Sequence, residues 1–220
     1  MKKEYDVIII GAGPSGVFCA YELKEKMPAC KILMIEKGHR IEQRQCPKRK
    51  TKQCMNCNPC SITTGFAGAG AFSDGKLSLS PNVGGNLGEI LGYEETKELL
   101  HESDEIYLKF GADEKVYGLE DKEAIGQIRK KAIQANLKLI ECPIRHLGTE
   151  EGYKIYGKLQ ADLLEKGVEL LFDTMVEDII EEDNKIIGVK TKNNDTFYAK
   201  EIVSAVGREG AEWFSEICMK

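Results

Sequence analysis

Asp6-Val7-Ile8-Ile9-Ile10-Gly11-Ala12-Gly13-Pro14-Ser15-Gly16 is the stretch on which the fold turns. Tyr5–Ile10 is an apolar run that stops at glycine, the pattern of a parallel strand buried on both faces. The spacing Gly11-x-Gly13-x-x-Gly16 follows at once. Val17–Lys26 then reads as a helix with apolar residues at Val17, Ala20, Tyr21 and Leu23. Lys31–Ile35 reads as a second strand, with Glu36 at its carboxyl end. From Tyr5 to Glu36 the chain has close to the ~30 residues of a dinucleotide-binding βαβ unit.

Each residue of that turn has a physical task. Gly11 permits the tight turn, Gly13 lets backbone approach a pyrophosphate, and Gly16 lets helix and strand pack closely. Pro14 and Ser15 open the helix, whose N-terminus presents unpaired N–H groups and a positive dipole end to phosphate. Glu36 stands about 20 residues on, where a carboxylate accepts hydrogen bonds from ribose hydroxyls and repels a 2′-phosphate. This unit alone leaves FAD and NAD both open.

Composition bounds the rest. The chain has 220 residues, 42% hydrophobic and 30% charged, with a net charge of −5, which is the balance of a soluble globular protein. The acidity argues against nucleic acid as the main partner. No apolar run approaches the roughly 20 residues of a membrane span, and Val7–Ile10 is too short for the apolar core of a signal peptide. The expectation is a cytoplasmic protein. Of eight cysteines, four (Cys46, Cys54, Cys57 and Cys60) crowd into one stretch, while Cys19, Cys30, Cys142 and Cys218 are scattered.

Further motifs narrow the reading. Ile35-Glu36-Lys37 and Lys200-Glu201-Ile202-Val203-Ser204-Ala205-Val206-Gly207-Arg208, taken with the first turn, resemble the FAD-binding flavoproteins of the glutathione-reductase-like superfamily. Val206 stands where threonine is usual. Cys54-Met55-Asn56-Cys57-Asn58-Pro59-Cys60, Gly68-Ala69-Gly70-Ala71-Phe72-Ser73-Asp74-Gly75 and Cys142-Pro143-Ile144-Arg145-His146-Leu147-Gly148 are similar to a group of uncharacterised FAD-dependent dehydrogenases.

The resemblance implies FAD as cofactor. It places Lys37 and Gly207 at the nucleotide, Gly70 and Ala71 in a loop along the pyrophosphate and flavin, and Val176 against the adenine. Members of such families are about twice this long, so the chain is expected to be an N-terminal portion.

The predicted fold is α/β: a Rossmann-like doubly wound parallel sheet with a small antiparallel β-meander and a mostly helical insertion. Residues 1–84 and 151–220 are expected to form the two segments of the FAD-binding domain, with the insertion at 85–150. Tyr93–Phe110, Lys122–Ala135 and Glu151–Glu165 read as helices, and Lys138–Glu141 as a short strand. Val168–Asp173, Val176–Glu181, Lys185–Lys190, Thr196–Tyr198 and Ile202–Val206 read as strands, with Asn193-Asn194-Asp195 as a hairpin turn.

The cysteine cluster leaves three readings open. Cys46, Cys54, Cys57 and Cys60 offer four thiolates to zinc or an iron–sulfur cluster, although the fourth cysteine followed by proline is absent from its usual place. They can equally be a reduced, unliganded loop, or a dithiol that exchanges electrons with a flavin. Six Lys/Arg lie between Arg40 and Lys52 and would favour thiolates. Among the histidines, His146 is the best placed for proton transfer or anion binding, with a plain surface role as the competing reading.

The leading expectation is an FAD-dependent oxidoreductase passing hydride to or from a small-molecule substrate, with NAD(P)H or an electron-donor protein as candidate partners. A redox-sensing or electron-transfer module built on the cysteine cluster, and a flavin-dependent RNA-modifying enzyme, are the alternatives.

Overall fold

The computed structural model describes residues 4–220. In chain order its elements are β1 (Glu4–Ile10), α1 (Pro14–Lys26), β2 (Ile32–Ile35), α2 (Lys48–Thr51), β3 (Lys76–Ser78), α3 (Leu87–Leu91), α4 (Tyr93–Lys109) and β4 (Val116–Tyr117). They continue with α5 (Lys122–Gln134), β5 (Ile144–His146), α6 (Thr149–Glu165), β6 (Glu169–Leu171), β7 (Val176–Glu182), β8 (Lys185–Thr191), β9 (Thr196–Ser204) and α7 (Ala211–Cys218). The chain divides into two compact units, residues 1–72 with 156–220, and residues 73–155. The sequence boundaries at 85 and 150 both fall inside the second unit.

The first unit is built on a six-stranded sheet in the order β6-β2-β1-β9-β8-β7. β6, β2, β1 and β9 are parallel, with Ile8 beside Leu33 on one side and Ile202 on the other. Strand periodicity sorts Ile8 and Ile10 of β1 from Val7 and Ile9, while Tyr5, at the strand's start, joins their cluster against that alternation. Tyr5, Ile8, Ile10, Leu33 and Ile35 join Val176 and Val189 in one buried cluster, flanked by Phe197, Ile202 and Trp213. Val7 and Ile9 are left to the opposite face, where α1 packs so closely that a Cβ on Gly16 would lie 3.3 Å from a methyl of Ile9. At the far end of α1 the buried ammonium of Lys24 donates to the carbonyls of Pro28 (2.8 Å) and Cys30 (2.9 Å), which fixes the return into β2.

β7, β8 and β9 form the expected antiparallel meander, and the β7–β8 turn places Asp183 and Asn184 at φ of 51° and 59°, the left-handed pair a two-residue hairpin demands. One expectation is corrected here. Thr196–Tyr198 and Ile202–Val206 are not separate strands; a single strand runs through Lys200-Glu201, pairing antiparallel with β8 at its start and parallel with β1 along its length. The polar pair interrupts the apolar pattern because both residues are exposed, not because the chain turns.

The second unit carries α3, α4 and α5 together with a three-stranded antiparallel sheet in the order β3-β5-β4, which the sequence reading did not contain. Lys138–Glu141 is not a strand. The paired residues are Ile144–His146, because these are the ones β3 and β4 meet, with Arg145 opposite both Leu77 and Val116. Arg145 and Asp104 are both buried here, joined by two bonds of 2.5 and 2.7 Å.

Candidate functional site: a cavity at the strand ends

The first unit contains a cavity of about 540 Å³ at the carboxyl ends of β1, β2 and β9. Its floor is the first glycine turn. Gly11 adopts φ of 101°, and a Cβ there would lie 2.6 Å from the carbonyl oxygen of Ala205. A Cβ on Gly16 would lie 2.1 Å from the carbonyl oxygen of Gly11, so helix and turn touch only because no side chain intervenes. Gly13 differs: nothing lies within 4 Å of where its Cβ would be, and it lines the cavity. Here the missing side chain leaves room for a ligand rather than for protein. Pro14 and Ser15 also line the cavity and start α1, whose N-terminus has no side-chain cap.

Glu36 lines the cavity while being only 6% exposed. Its Oε2 accepts from the N–H of Ala12 (2.8 Å), and its Oε1 accepts from Gly38 (2.8 Å) and Gly65 (3.1 Å). The carboxylate expected at a ribose therefore also ties together the first glycine turn, the loop after β2 and the loop at 61–68. A carboxylate has about four lone-pair sites, so three amides leave room for one further donor.

Lys37 and Glu209 line the same cavity and are joined at 3.1 Å. Val176 stands buried at the start of β7 and Gly207 follows β9 at φ of 58°, both in the lining. Gly70 and Ala71 are not in it. They belong to a tight turn, Gly68–Phe72, in which Ala71 is buried and Gly70 lies against the hydroxyl of Tyr156; Gly68 and Ala69 are the residues that reach the cavity.

Sequence reasoning missed several lining groups. Thr63, Thr64 and Arg208 fall within or beside stretches that carry the family resemblance, but none of them was singled out as a site residue. Trp213, the chain's single tryptophan, lines the cavity and donates from Nε1 to the carbonyl of Glu177 at 2.8 Å. Its place on the amphipathic α7 was a signal that could have been read.

The cysteine cluster is not assembled as a metal centre. All eight cysteines are free thiols, and among the described residues no group of three or more Cys, His, Asp or Glu side chains is placed to hold a metal ion. Cys54 and Cys57 are exposed, while the Cys60 thiol turns into its own loop. There the N–H groups of Ile62 and Thr63 and the Thr63 hydroxyl hold it below its ordinary thiol range. Local amides, not the neighbouring basic run, are the main cause. His146 lies in the second unit, exposed on β5 opposite Lys76, with its ring edge-on to Tyr117 at 6.4 Å. It does not line the cavity. No helix among the described residues is long and apolar enough to cross a membrane.

Residues 2–41, the βαβ unit, match the model of the Thi4 family. A probable malate:quinone oxidoreductase of Campylobacter jejuni is 25% identical over 245 aligned positions, covering 94% of this chain and 50% of that protein. The chain thus spans about half the length of the curated relative it matches.

Among solved structures, L-proline dehydrogenase from P. horikoshii aligns with a TM-score of 0.55 at 18% identity, covering 100% of this chain and 57% of that one. Glycine oxidase from Bacillus cereus aligns at 0.54 and 19%, covering 96% and 58%. An L-amino acid deaminase from Proteus vulgaris aligns at 0.57 and 12%, covering 99% and 57%. The fold is a Rossmann-like α/β fold, shared with these dehydrogenase, oxidase and deaminase structures.

Proposed function

We propose that this chain is the FAD-binding portion of a flavin-dependent oxidoreductase acting on a small molecule. The observation that carries the reading is Gly13: a backbone position at a helix N-terminus, open to a cavity at the strand ends, where a side chain would take the space of a pyrophosphate. The residues fit the cofactor. Gly11, Gly13 and Ser15 would take the pyrophosphate at the start of α1. Glu36, with one acceptor site left, would take a ribose hydroxyl, and Lys37, Val176 and Gly207 would line the nucleotide half.

A bound flavin supplies reversible two-electron hydride chemistry. The protein's part is to bind and orient it, and to exclude water with the apolar wall that Ile10, Ile35, Val176 and Trp213 provide. Trp213 also provides the test. Titrating the chain with FAD should quench its tryptophan emission, and flavin absorbance should remain with the protein after desalting. Unchanged emission up to about 1 mM FAD, weaker than ~−4 kcal/mol of binding, would overturn the reading.

A further inference from the structure

The loop from Ser61 to Ala69 forms one wall of the cavity through Thr63, Thr64, Gly65, Gly68 and Ala69. It has no strand or α-helix to satisfy its backbone, so its carbonyls need partners from elsewhere. Arg44 supplies them. Its Nε donates to the carbonyl of Ser61 (3.1 Å), its Nη1 to Phe66 (2.5 Å) and Gly68 (2.6 Å), and its Nη2 to Ile62 (2.9 Å). The guanidinium lies over the Phe72 ring, 4.8 Å from its centroid, and the residue is 2% exposed.

All four acceptors are neutral carbonyls; among the described residues no carboxylate hydrogen-bonds this cation. Burial pushes the guanidinium down to about 10, with Glu36 and Cys60 acting in the opposite sense. Two physical consequences follow for the cavity. The lone pairs of four loop carbonyls are taken up by a group that does not itself line the cavity, so they are not left to repel a phosphate. A positive charge is also fixed behind the wall in a poorly solvated place, where its field is weakly screened.

We propose that Arg44 is a positioning residue for the dinucleotide: it sets the shape of the 61–69 wall and adds a buried positive charge beside an anionic ligand. This rests on the dinucleotide reading of the same cavity. The two halves of the role separate by substitution. Lysine keeps the charge but, as a compact point donor, does not span four carbonyls. Methionine removes both.

Hydrogen–deuterium exchange on the ligand-free chain and FAD titration by Trp213 emission test the two halves. In Arg44→Lys and Arg44→Met, amides of 61–69 should exchange at least about tenfold faster while those of β1 and β2 keep their wild-type rates. The FAD dissociation constant should rise about tenfold in Arg44→Lys, as expected for losing one charged hydrogen bond's worth of order, and further in Arg44→Met. Unchanged exchange at 61–69, or acceleration in step with β1 and β2, overturns the positioning role, as does wild-type FAD affinity in both variants. Should Arg44→Met not fold, Arg44→Lys decides alone. A wild-type chain that binds no FAD would overturn the dinucleotide reading, while the exchange measurement still decides whether Arg44 sets the wall.

Discussion

The carboxylate of Glu36 accepts a hydrogen bond from the N–H of Ala12 at 2.8 Å, so the end of β2 grips the middle of the first glycine turn. The same side chain holds the amides of Gly38 and Gly65. An acid at this place is usually read as a ligand contact. Here it is also the knot that holds three cavity loops in register before any ligand arrives.

Glu36→Gln should therefore destabilise the ligand-free chain. An amide side chain has one oxygen and turns its NH2 toward N–H donors, leaving at least one buried amide unsatisfied, at a cost of about 1–3 kcal/mol. Urea unfolding without FAD measures this. A midpoint equal to wild type would show that the three loops hold their places without the carboxylate.

The glycines of the turn should separate by function. Gly16→Ala puts a methyl 2.1 Å from the carbonyl oxygen of Gly11 and should cost about 1–3 kcal/mol through forced displacement. Gly13→Ala meets nothing within 4 Å, and its backbone, at φ of −69°, accepts any residue. That variant should melt within a few degrees of wild type, ~0.5 kcal/mol or less, yet bind FAD about tenfold more weakly. Thermal melts paired with FAD titrations distinguish the two classes, and equal loss of stability in both variants would contradict the distinction.

Why the turn was legible and its surroundings were not comes down to range. The unit β1–α1–β2 is written in local periodicity and in a glycine spacing readable within a few residues, even though the close contact at Gly11 is with the distant Ala205. The strands β3, β4 and β5 are two or three residues long and exist only through partners far along the chain, such as Lys76 with His146. Arg44 is one cation in a run of six, and nothing local marks it as the one that is buried. Gly70 and Ala71 lie in the right segment, but the tight turn at Gly68–Phe72 presents Gly68 and Ala69 instead.

Thiol reactivity should follow the loop at Cys60 rather than the number of cysteines. Burial raises the thiol of Cys19, whereas amides of Ile62 and Thr63 lower that of Cys60. At neutral pH, iodoacetamide labelling followed by peptide mass spectrometry should therefore modify Cys60 before Cys19. Equal rates would mean that the amide contacts do not persist in solution.

The ion pair of Arg145 and Asp104 should be worth more broken than intact. Both side chains are less than a tenth exposed, and the guanidinium also bonds the carbonyl of Asp113. Asp104→Ala leaves a buried cation without its partner and should cost about 3–5 kcal/mol. Limited proteolysis should then cut within residues 73–155 at protease levels that leave the wild type intact. Undiminished resistance would show that water replaces the carboxylate at little cost.

Acid should loosen the strand ends opposite the cavity through Asp6. Its Oδ2 accepts from the N–H of Lys31 (2.9 Å) and its Oδ1 from Nζ of Lys200 (2.7 Å), and these two contacts, the Lys200 bond first, hold its carboxyl below the usual range. Between the folded value and the ordinary ~3.9, the unfolded chain binds more protons than the folded one, so stability rises with pH. The contribution is complete above the ordinary value and disappears as pH falls through the folded one. Asp6→Asn removes it at every pH. The melting temperature of wild type should exceed that of Asp6→Asn at pH 7, and the gap should begin to close below the ordinary ~3.9 and vanish only once pH has fallen through the lower folded value. Because the pair is solvent-exposed, the gap at pH 7 should also shrink as salt is raised. A gap that persists at low pH would assign the difference to the side chain's shape rather than to its charge.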